Sequence, residues 1–208
     1  MDSQPEPWGC EVTDIDTEPA DTDATPPRPA PPITAALREE AKAHPGSWVY
    51  ALDPGFAGSE NVPPEGIVGA WQSDEAGEIG SEFMPNPRYR PTPQARGWVE
   101  PTTALERTLQ LVLTGYLPSE RLYREFAGAE VIVFDRDGGG FFVAPALDGG
   151  EVVYSYSDAA RARASGHPDN RVVKGGELAR ALPDGVRIVL NPGEPASAVL
   201  EPSEVLSS

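Results

Sequence analysis

The hydrophobic pattern first becomes regular at AALREEAKA, where apolar residues recur at helical spacing. Thr34 precedes this run as a helix cap, and His44-Pro45-Gly46 follows it as a stop. SWVYALD and GIVGAWQS are rich in aromatic and β-branched residues, which is typical of strands. The turn Asp74–Gly77 leads into EIGSEF as a third strand. Residues 33–98 are therefore predicted to form one helix packed with a three-stranded antiparallel sheet.

The second half of the chain begins with a longer segment of helical periodicity. TALERTLQLVLTGY places Leu105 and Leu109 on one face, and SERLYREFAG predicts a shorter helix capped by Ser119. EVIVFDRDGGGFFVAPALDGGEVVYSYS predicts three strands, with a hairpin turn at Gly138–Gly140. The helices SDAARARASG and GELARALPDG then alternate with the strands RVVKG and VRIVL, and SAVLEPSEV follows. The whole chain is predicted to be α+β, with a mixed α/β domain over residues 99–208.

The composition of residues 1–32 predicts a tail before the first helix. The 208 residues include 24 prolines and 21 glycines, and the formal net charge is −17. Residues 1–32 hold eight acidic residues against Arg28 alone and end in PPRPAPP, which predicts a disordered, acidic, proline-rich tail. Trp8 and Ile15 are its only candidate anchors for docking on a partner. The excess of negative charge disfavours nucleic acid and anionic membrane surfaces as partners.

Several kinds of chemistry lack a sequence signature. Cys10 is the only cysteine, so an intrachain disulfide and a multi-cysteine zinc site are excluded. His44 and His167 lie in separate predicted loops, and the chain contains neither a Walker-type phosphate loop nor a Gly-x-Ser-x-Gly elbow. We therefore expect a non-enzymatic protein without cofactor or metal. The start of the chain lacks a signal-peptide pattern, and no apolar run is long enough to span a bilayer, so we expect a cytoplasmic protein.

We consider two roles for residues 83–93, FMPNPRYRPTP. Its prolines remove backbone donors, so the segment is expected to run along an edge or over the surface. In the structural interpretation Tyr89 closes a small core and the arginines pair with local acids such as Glu82. In the interaction interpretation Arg88 and Arg90 flank an aromatic on a stiff loop, with Trp98 and Trp71 extending the same surface. Both interpretations hold together if Tyr89 packs inward and the guanidinium groups point outward.

A second candidate site follows the strand VRIVL. Asn191-Pro192-Gly193 predicts a type II turn, in which Pro192 presets the first corner, Gly193 adopts positive φ and Asn191 bonds the backbone two residues on. This is a structural interpretation. The alternative is a ligand loop in which backbone amides of Gly193 and Gly175-Gly176 bind a small anion.

The second half of the chain resembles a known family. VVYSYSDAARA and KGGELARALPDGVRIVLNPGEPASAVLEPSEV are similar to the SseB N-terminal domain, named from an enhanced-serine-sensitivity phenotype, over roughly residues 129–208. The strand end VYSYS departs from the phenylalanine-threonine-serine that this family usually shows. PGSWVYALDPGF, VPPEGIVGAWQSDEAGEIGSEFMPNPRYRPTP and PTTALERTLQLVLTGY resemble actinobacterial type VII secretion system-associated proteins, which place such a module before an SseB-like domain.

The resemblance implies an accessory role in secretion, and it brings no catalytic residues. Tyr154-Ser-Tyr-Ser-Asp158 matches a pattern of secreted type VII substrates, but we expect Asp158 to cap a helix here. The leading expectation is a non-catalytic cytoplasmic adaptor whose protein partner is a secretion component. A small-molecule-binding or regulatory SseB-like module is the alternative, and an uncharacterised hydrolase is the third.

Overall fold

A computed structural model describes residues 29–136, 139–146, 149–166 and 170–208. The chain divides into two compact units, Met1–Ala95 and Arg96–Ser208, so the division falls a few residues before the predicted boundary at 98. Most of the predicted tail, residues 1–28, lies outside the described residues. Within the described ranges, no helix combines the length and apolar character needed to cross a membrane.

The described part of the first unit has the predicted elements. They are helix α1 (Ala35–Ala43) and strands β1 (Trp48–Leu52), β2 (Ile67–Ser73) and β3 (Ile79–Pro85). The strands form an antiparallel sheet in the order β1-β2-β3, which confirms the predicted fold class for this half. Thr34 caps α1 as predicted, because its hydroxyl accepts the Leu37 amide at 3.3 Å. Trp71 of β2 is a large buried residue of this unit and packs against Phe83 of β3.

The second unit is a mixed sheet with helices. Its elements are α2 (Ala104–Leu113), α3 (Ser119–Gly128), β4 (Glu130–Phe134), β5 (Val143–Pro145), β6 (Glu151–Tyr156), α4 (Ala159–Ala164), β7 (Asn170–Lys174), α5 (Gly175–Ala181), β8 (Val186–Leu190), β9 (Ala198–Leu200) and α6 (Pro202–Ser207). The strand order is β7-β4-β6-β8-β9, and β5 also pairs with β6. Strands β6 and β8 are parallel, and the other pairs are antiparallel. The α+β class predicted from the sequence is thus confirmed.

Two local predictions in this unit need correction. An antiparallel bridge pairs Asp135 with Phe141 on the two sides of the predicted hairpin turn, of which Gly138 lies outside the described residues, and β4 and β5 do not pair with each other in the described part of the chain. Both strands instead pair with β6. Strand β4 pairs with Ser155 and Tyr156, and β5 pairs with residues 151–153. Ser119 is the first residue of α3 and not its cap; Pro118 precedes the helix, and no side chain caps it.

Helices α2, α3, α5 and α6 cover one face of the mixed sheet. Alternate strand residues face them, among them Val133, Val153 and Ile188, and all three are fully buried. Phe126 of α3 and Leu178 of α5 fill the same core. The alternating burial of VRIVL confirms that this strand is buried on one face.

Gly175 marks a close contact between α3 and α5. A Cβ at this position would lie 2.0 Å from the backbone oxygen of Phe126, so the helix start fits only without a side chain. The Gly175 amide donates to the carbonyl of Ala129 at 3.0 Å. Because this amide is buried and already bonded, its predicted role in an anion-binding loop is wrong.

Gly175→Ala is therefore expected to lower the free energy of unfolding of the second unit by about 1–3 kcal/mol, because the methyl group overpacks the α3–α5 contact. Gly128→Ala is the matched control. Gly128 is also helical and has open space at its Cβ position, so this change is expected to be neutral or slightly stabilising. Urea unfolding of the full chain measures both. Equal stabilities for the two variants would contradict the steric explanation.

Candidate functional site

The loop that carries Arg88–Arg90 is fastened to the first unit by one buried carboxylate. Asp53 directly follows β1 and is fully buried. Its Oδ2 accepts the Tyr89 hydroxyl at 2.7 Å and the Thr92 amide at 3.0 Å. Its Oδ1 accepts the Gly55 amide at 2.8 Å and the Thr92 hydroxyl. Four donors satisfy the carboxylate, so one side chain joins the strand end to the loop.

Asn86 is a second anchor at the start of the same loop. Its side chain is buried, and its Nδ2 donates to the carbonyls of Pro64 and Ile67, both at 2.7 Å. Its Oδ1 accepts the Arg88 amide at 3.0 Å. Because these bonds fix the backbone on both sides of Pro87, the loop presents its side chains from a held frame. The prolines alone predicted an extended path but not these two anchors.

The aromatic residue and the two arginines of this loop differ in their exposure to solvent. Tyr89 is partly buried and its hydroxyl reaches Asp53, whereas Arg88 and Arg90 are exposed. The bond of Tyr89 to Asp53 agrees with the structural interpretation, and the interaction interpretation stays a prediction. The suggested pairing of the arginines with Glu82 stays a prediction.

Of the two tryptophans proposed for the same surface, Trp71 is buried and Trp98 belongs to the other unit. Trp71 is only 2% exposed, and its ring centroid lies 4.7 Å from that of Phe83. Its predicted surface role is wrong, because Trp71 points into the core from the middle strand of the sheet. Trp98 belongs to the second unit, where the Arg96 guanidinium lies 5.4 Å from its ring centroid. Arg88, Tyr89 and Arg90 remain the proposed interaction residues of the first unit, and the place of Trp98 beside them stays a prediction.

In the second unit, the Asn191-Pro192-Gly193 turn has an unexpected anchor. Gly193 has φ of 80°, and the Glu194 amide donates to the Asn191 carbonyl at 3.2 Å, which fits the predicted turn. Asn191 itself adopts a φ of 52°, in the left-handed region that asparagine tolerates. Its Oδ1 accepts the Ser157 amide at 2.9 Å, so the predicted local bond of the Asn191 side chain is replaced by one to a neighbouring strand end.

A buried charge network lies beside Ser157. The Glu106 carboxylate is 2% exposed; its Oε1 accepts the Ser157 hydroxyl and an Arg161 Nη1 hydrogen, both at 2.5 Å. Its Oε2 accepts the Thr102 amide at 2.7 Å. The same Arg161 nitrogen donates to Asp158. Two carboxylates thus share one guanidinium, and together with Asn191 they connect α2, the β6–α4 junction and the turn after β8.

Asp158 also caps α4, as predicted. Its Oδ1 accepts the amides of Ala160 at 2.7 Å and Arg161 at 2.9 Å. Burial by itself raises the pKa of Asp158. The bond from the Arg161 amide outweighs it, together with the hydrogen-bonded side chains of Glu106 and Arg161 and the Ala160 amide, and the pKa falls from 3.8 to about 2.

This lowered pKa predicts an acid-dependent loss of stability. Because the folded-state pKa lies below the unfolded value, ionised Asp158 contributes to the free energy of unfolding above about pH 4. This contribution is lost as the pH falls through about 2. Asp158→Asn is therefore expected to be less stable than the parent by on the order of 2 kcal/mol at pH 5–7, with the difference closing toward pH 2. Urea unfolding across this pH range measures it. Asp184→Asn, at an exposed position, should show no such closing gap.

The network borders a small cavity of about 60 Å³, lined in part by Trp98, Leu109, Gln110 and Arg161. The charges around it are largely compensated, since each carboxylate oxygen described above has a donor. Among the described residues, no three His, Cys, Asp or Glu side chains are placed to hold a metal ion. The arrangement therefore supports packing of helices on the sheet more directly than proton transfer.

A larger groove lies along the turn itself. About 410 Å³ of open space is bordered by Tyr154 of β6, Arg187 and Val189 of β8, and Pro192-Gly193. A volume of this size lies in the range of small-molecule sites. Asn191 thus has a structural role in this turn, whereas Pro192 and Gly193 border open space.

Most of the second unit matches a known protein family. Residues 105–207 match the family model of the SseB protein N-terminal domain. This part of the chain is an SseB-like domain, and the resemblance seen in the sequence is confirmed for it. Neither the curated proteins nor the solved structures compared with the chain gave a match.

The anchoring residues are the ones that sequence reasoning missed. Asp53 stands before Pro54-Gly55, a context in which aspartate often bonds the backbone two residues on. Glu106 stands three residues after the cap Thr103, the spacing of a capping box. Both signals are local, however, and neither indicates the long-range partners, which lie 36 to 55 positions away along the chain.

Proposed function

We propose that this protein is a non-catalytic accessory protein of a type VII secretion system, which acts in the cytoplasm by binding a protein partner. The observation that carries the proposal is the anchored loop of the first unit, in which Asp53 and Asn86 fix the backbone while Arg88 and Arg90 are exposed. The backbone of a preordered surface loop loses little conformational entropy on binding, and arginine is enriched among the residues that dominate protein interfaces, which favours protein recognition. The SseB-like domain and the resemblance of the preceding residues to secretion-associated proteins support the same role.

The test is recovery of a secretion component from cells that express the tagged full chain. Arg88→Ala plus Arg90→Ala is expected to reduce recovery at least several-fold, because the exposed cations of the loop are removed while its anchors stay. Arg38→Ala is the matched control, since Arg38 is an exposed arginine of the same unit on α1. Equal recovery by the parent and the double variant would remove the loop from the proposal. Failure to recover any secretion component would contradict the proposed role.

The second candidate function is small-molecule binding by the SseB-like domain. The groove of about 410 Å³ beside Pro192-Gly193 favours it, because this space combines apolar strand residues with Arg187 and Tyr154. A thermal-shift screen of metabolites, including serine, is the test. A ligand of this groove is expected to raise the melting temperature of the parent and to lose that effect in Arg187→Ala but not in Arg171→Ala. No shift across the panel would count against this function.

A further inference from the structure

The mixed sheet carries another large groove, which is distinct from the groove beside Pro192-Gly193 and which we call the Arg171 groove. About 530 Å³ of open space is bordered by residues of β5, β7 and α5 and of the segments next to them. The apolar part of this border consists of Phe141, Val143, Val173, Leu178 and Leu182. Leu178 is fully buried, whereas the other four are partly exposed, so the groove offers apolar surface to a ligand.

The guanidinium of Arg171 is held at this groove by two contacts. Arg171 of β7 stands opposite Val133 of β4, so its side chain leaves the sheet on the same face as that buried valine. The guanidinium carbon lies 4.4 Å from the ring centroid of Phe141, and Nε lies 2.9 Å from Oδ1 of Asp135. An aromatic face and a carboxylate together orient the plane of the guanidinium.

Arg171 keeps hydrogen-bond donors for a ligand. A guanidinium carries five N–H groups in one plane, and the ion pair with Asp135 is made through Nε. Among the described residues, the two terminal Nη nitrogens of Arg171 have no hydrogen-bond acceptor. The side chain is 43% exposed, so these nitrogens are accessible. Two parallel N–H groups match the two oxygens of a carboxylate.

The other charges at the Arg171 groove favour a ligand with a single negative charge. Arg136 and Glu177 also border the groove, and both are exposed. Their charges offset each other, as do those of Arg171 and Asp135. A second negative charge on the ligand would meet Glu177 or Asp135 without a further cation to balance it, so a dianion such as a phosphate monoester is disfavoured.

We propose that the Arg171 groove binds a small carboxylate with an apolar body. The carboxylate accepts hydrogen bonds from the Nη nitrogens of Arg171, and the apolar body covers Phe141, Val173 and Leu182. Covering these side chains removes apolar surface from water, and the charged hydrogen bonds set the orientation of the ligand. Binding here requires neither a secretion partner nor a ligand beside Pro192-Gly193, so it is independent of both proposed functions.

Titration of the full chain with 3-phenylpropanoate, hexanoate and octanoate, followed by amide NMR, is the test. At least one of these probes is expected to bind with a dissociation constant of about 1 mM or below. The saturable changes in amide signals should centre on residues 141–143, 171–174 and 177–182. The uncharged amide of the same probe should bind at least tenfold more weakly, because it loses the charged hydrogen bonds.

Arg171→Ala is expected to weaken binding of the carboxylate at least tenfold. Arg171→Lys should also bind more weakly than the parent, because an ammonium keeps the charge but not the two parallel N–H groups. Arg180→Ala is the matched control, since Arg180 is an exposed arginine of α5 that does not border the groove. Its affinity should stay within about twofold of the parent.

Ala181→Phe tests the shape of the groove without changing any charge. Ala181 is exposed at the end of α5 and borders the groove, so a phenyl group there should occupy the apolar space and weaken binding at least fivefold. Well-dispersed spectra of each variant establish that its fold is retained.

Equal affinity in Arg171→Ala and Arg180→Ala, or equal affinity for the carboxylate and its amide, would overturn the proposal. The same conclusion would follow if none of the three probes gave saturable changes up to about 10 mM. Changes centred on Tyr154 and Arg187 would place the ligand in the groove beside Pro192-Gly193 and would also contradict it. A carboxylate that binds the parent and Arg187→Ala alike, but not Arg171→Ala, supports the Arg171 groove and separates it from the second candidate function.

Discussion

Replacing Arg161 by alanine is expected to lower the free energy of unfolding of the second unit by about 3–5 kcal/mol. The physical reason is the pair of carboxylates that this guanidinium serves. Glu106 is 2% exposed and Asp158 is partly buried, so removing the guanidinium takes away the cation that these two neighbouring acids share. Urea unfolding of the full chain gives the magnitude. Amide hydrogen exchange in α2, α4 and the strands β6 and β8 gives the location of the loss.

Arg163→Ala is the control for Arg161→Ala on the same helix. Arg163 is exposed, and its side chain bonds the local Ala159 carbonyl, so its replacement is expected to change stability by about 0.5 kcal/mol or less. Arg161→Lys keeps one positive charge but loses the planar group that reaches both carboxylates, and should fall between the two. An Arg161→Ala protein as stable as Arg163→Ala would show that the network contributes little to folding.

Asp53→Ala is expected to cost about 3–5 kcal/mol in the first unit and to release the arginine loop. The change removes the acceptor for the hydroxyls of Tyr89 and Thr92 and the amides of Thr92 and Gly55, and each buried donor left without an acceptor costs about 1–3 kcal/mol before water enters. Hydrogen exchange of the amides between residues 86 and 95 should rise at least tenfold. The mixed sheet of the second unit should stay protected.

Two further variants, Tyr89→Phe and Glu60→Ala, are controls for Asp53→Ala. Tyr89→Phe removes one of the four donors to Asp53 and is expected to cost about 1 kcal/mol. Glu60 is an exposed acid in the same unit, so Glu60→Ala tests the effect of removing a negative charge without removing an anchor. If Asp53→Ala left the exchange of the loop unchanged, the loop would be held by Asn86 and the prolines alone.

Much of the local structure was predictable because it follows from neighbouring residues. Thr34 and Asp158 cap helices by bonding amides two or three positions ahead, and the sequence shows both acceptor and helix. The alternation in VRIVL likewise predicted which strand residues are buried. The prediction for Ser119 was wrong because Pro118 already fixes the start of α3 without a side-chain acceptor.

The candidate site was predictable only in part. Arginines between prolines indicated an exposed, stiff loop, and the structure has Arg88 and Arg90 exposed. Which aromatic accompanies them depends on the direction in which each strand residue faces the core. An alternating strand has two faces, and the sequence alone did not show that Trp71 belongs to the buried one.

The sequence by itself determined the helices, most of the strands and the SseB-like character of residues 105–207, since these depend on spacing and local chemistry. The tertiary structure decided the strand order, the path of β4 and β5 along β6, and the partners of Asp53, Glu106 and Asn191. The bonds of Asp53 with Tyr89, of Glu106 with Arg161 and of Asn191 with Ser157 each join residues 34 or more positions apart, which only the folded chain brings together. A buried acid in a sequence shows that a donor is needed, but the fold decides which donor it receives.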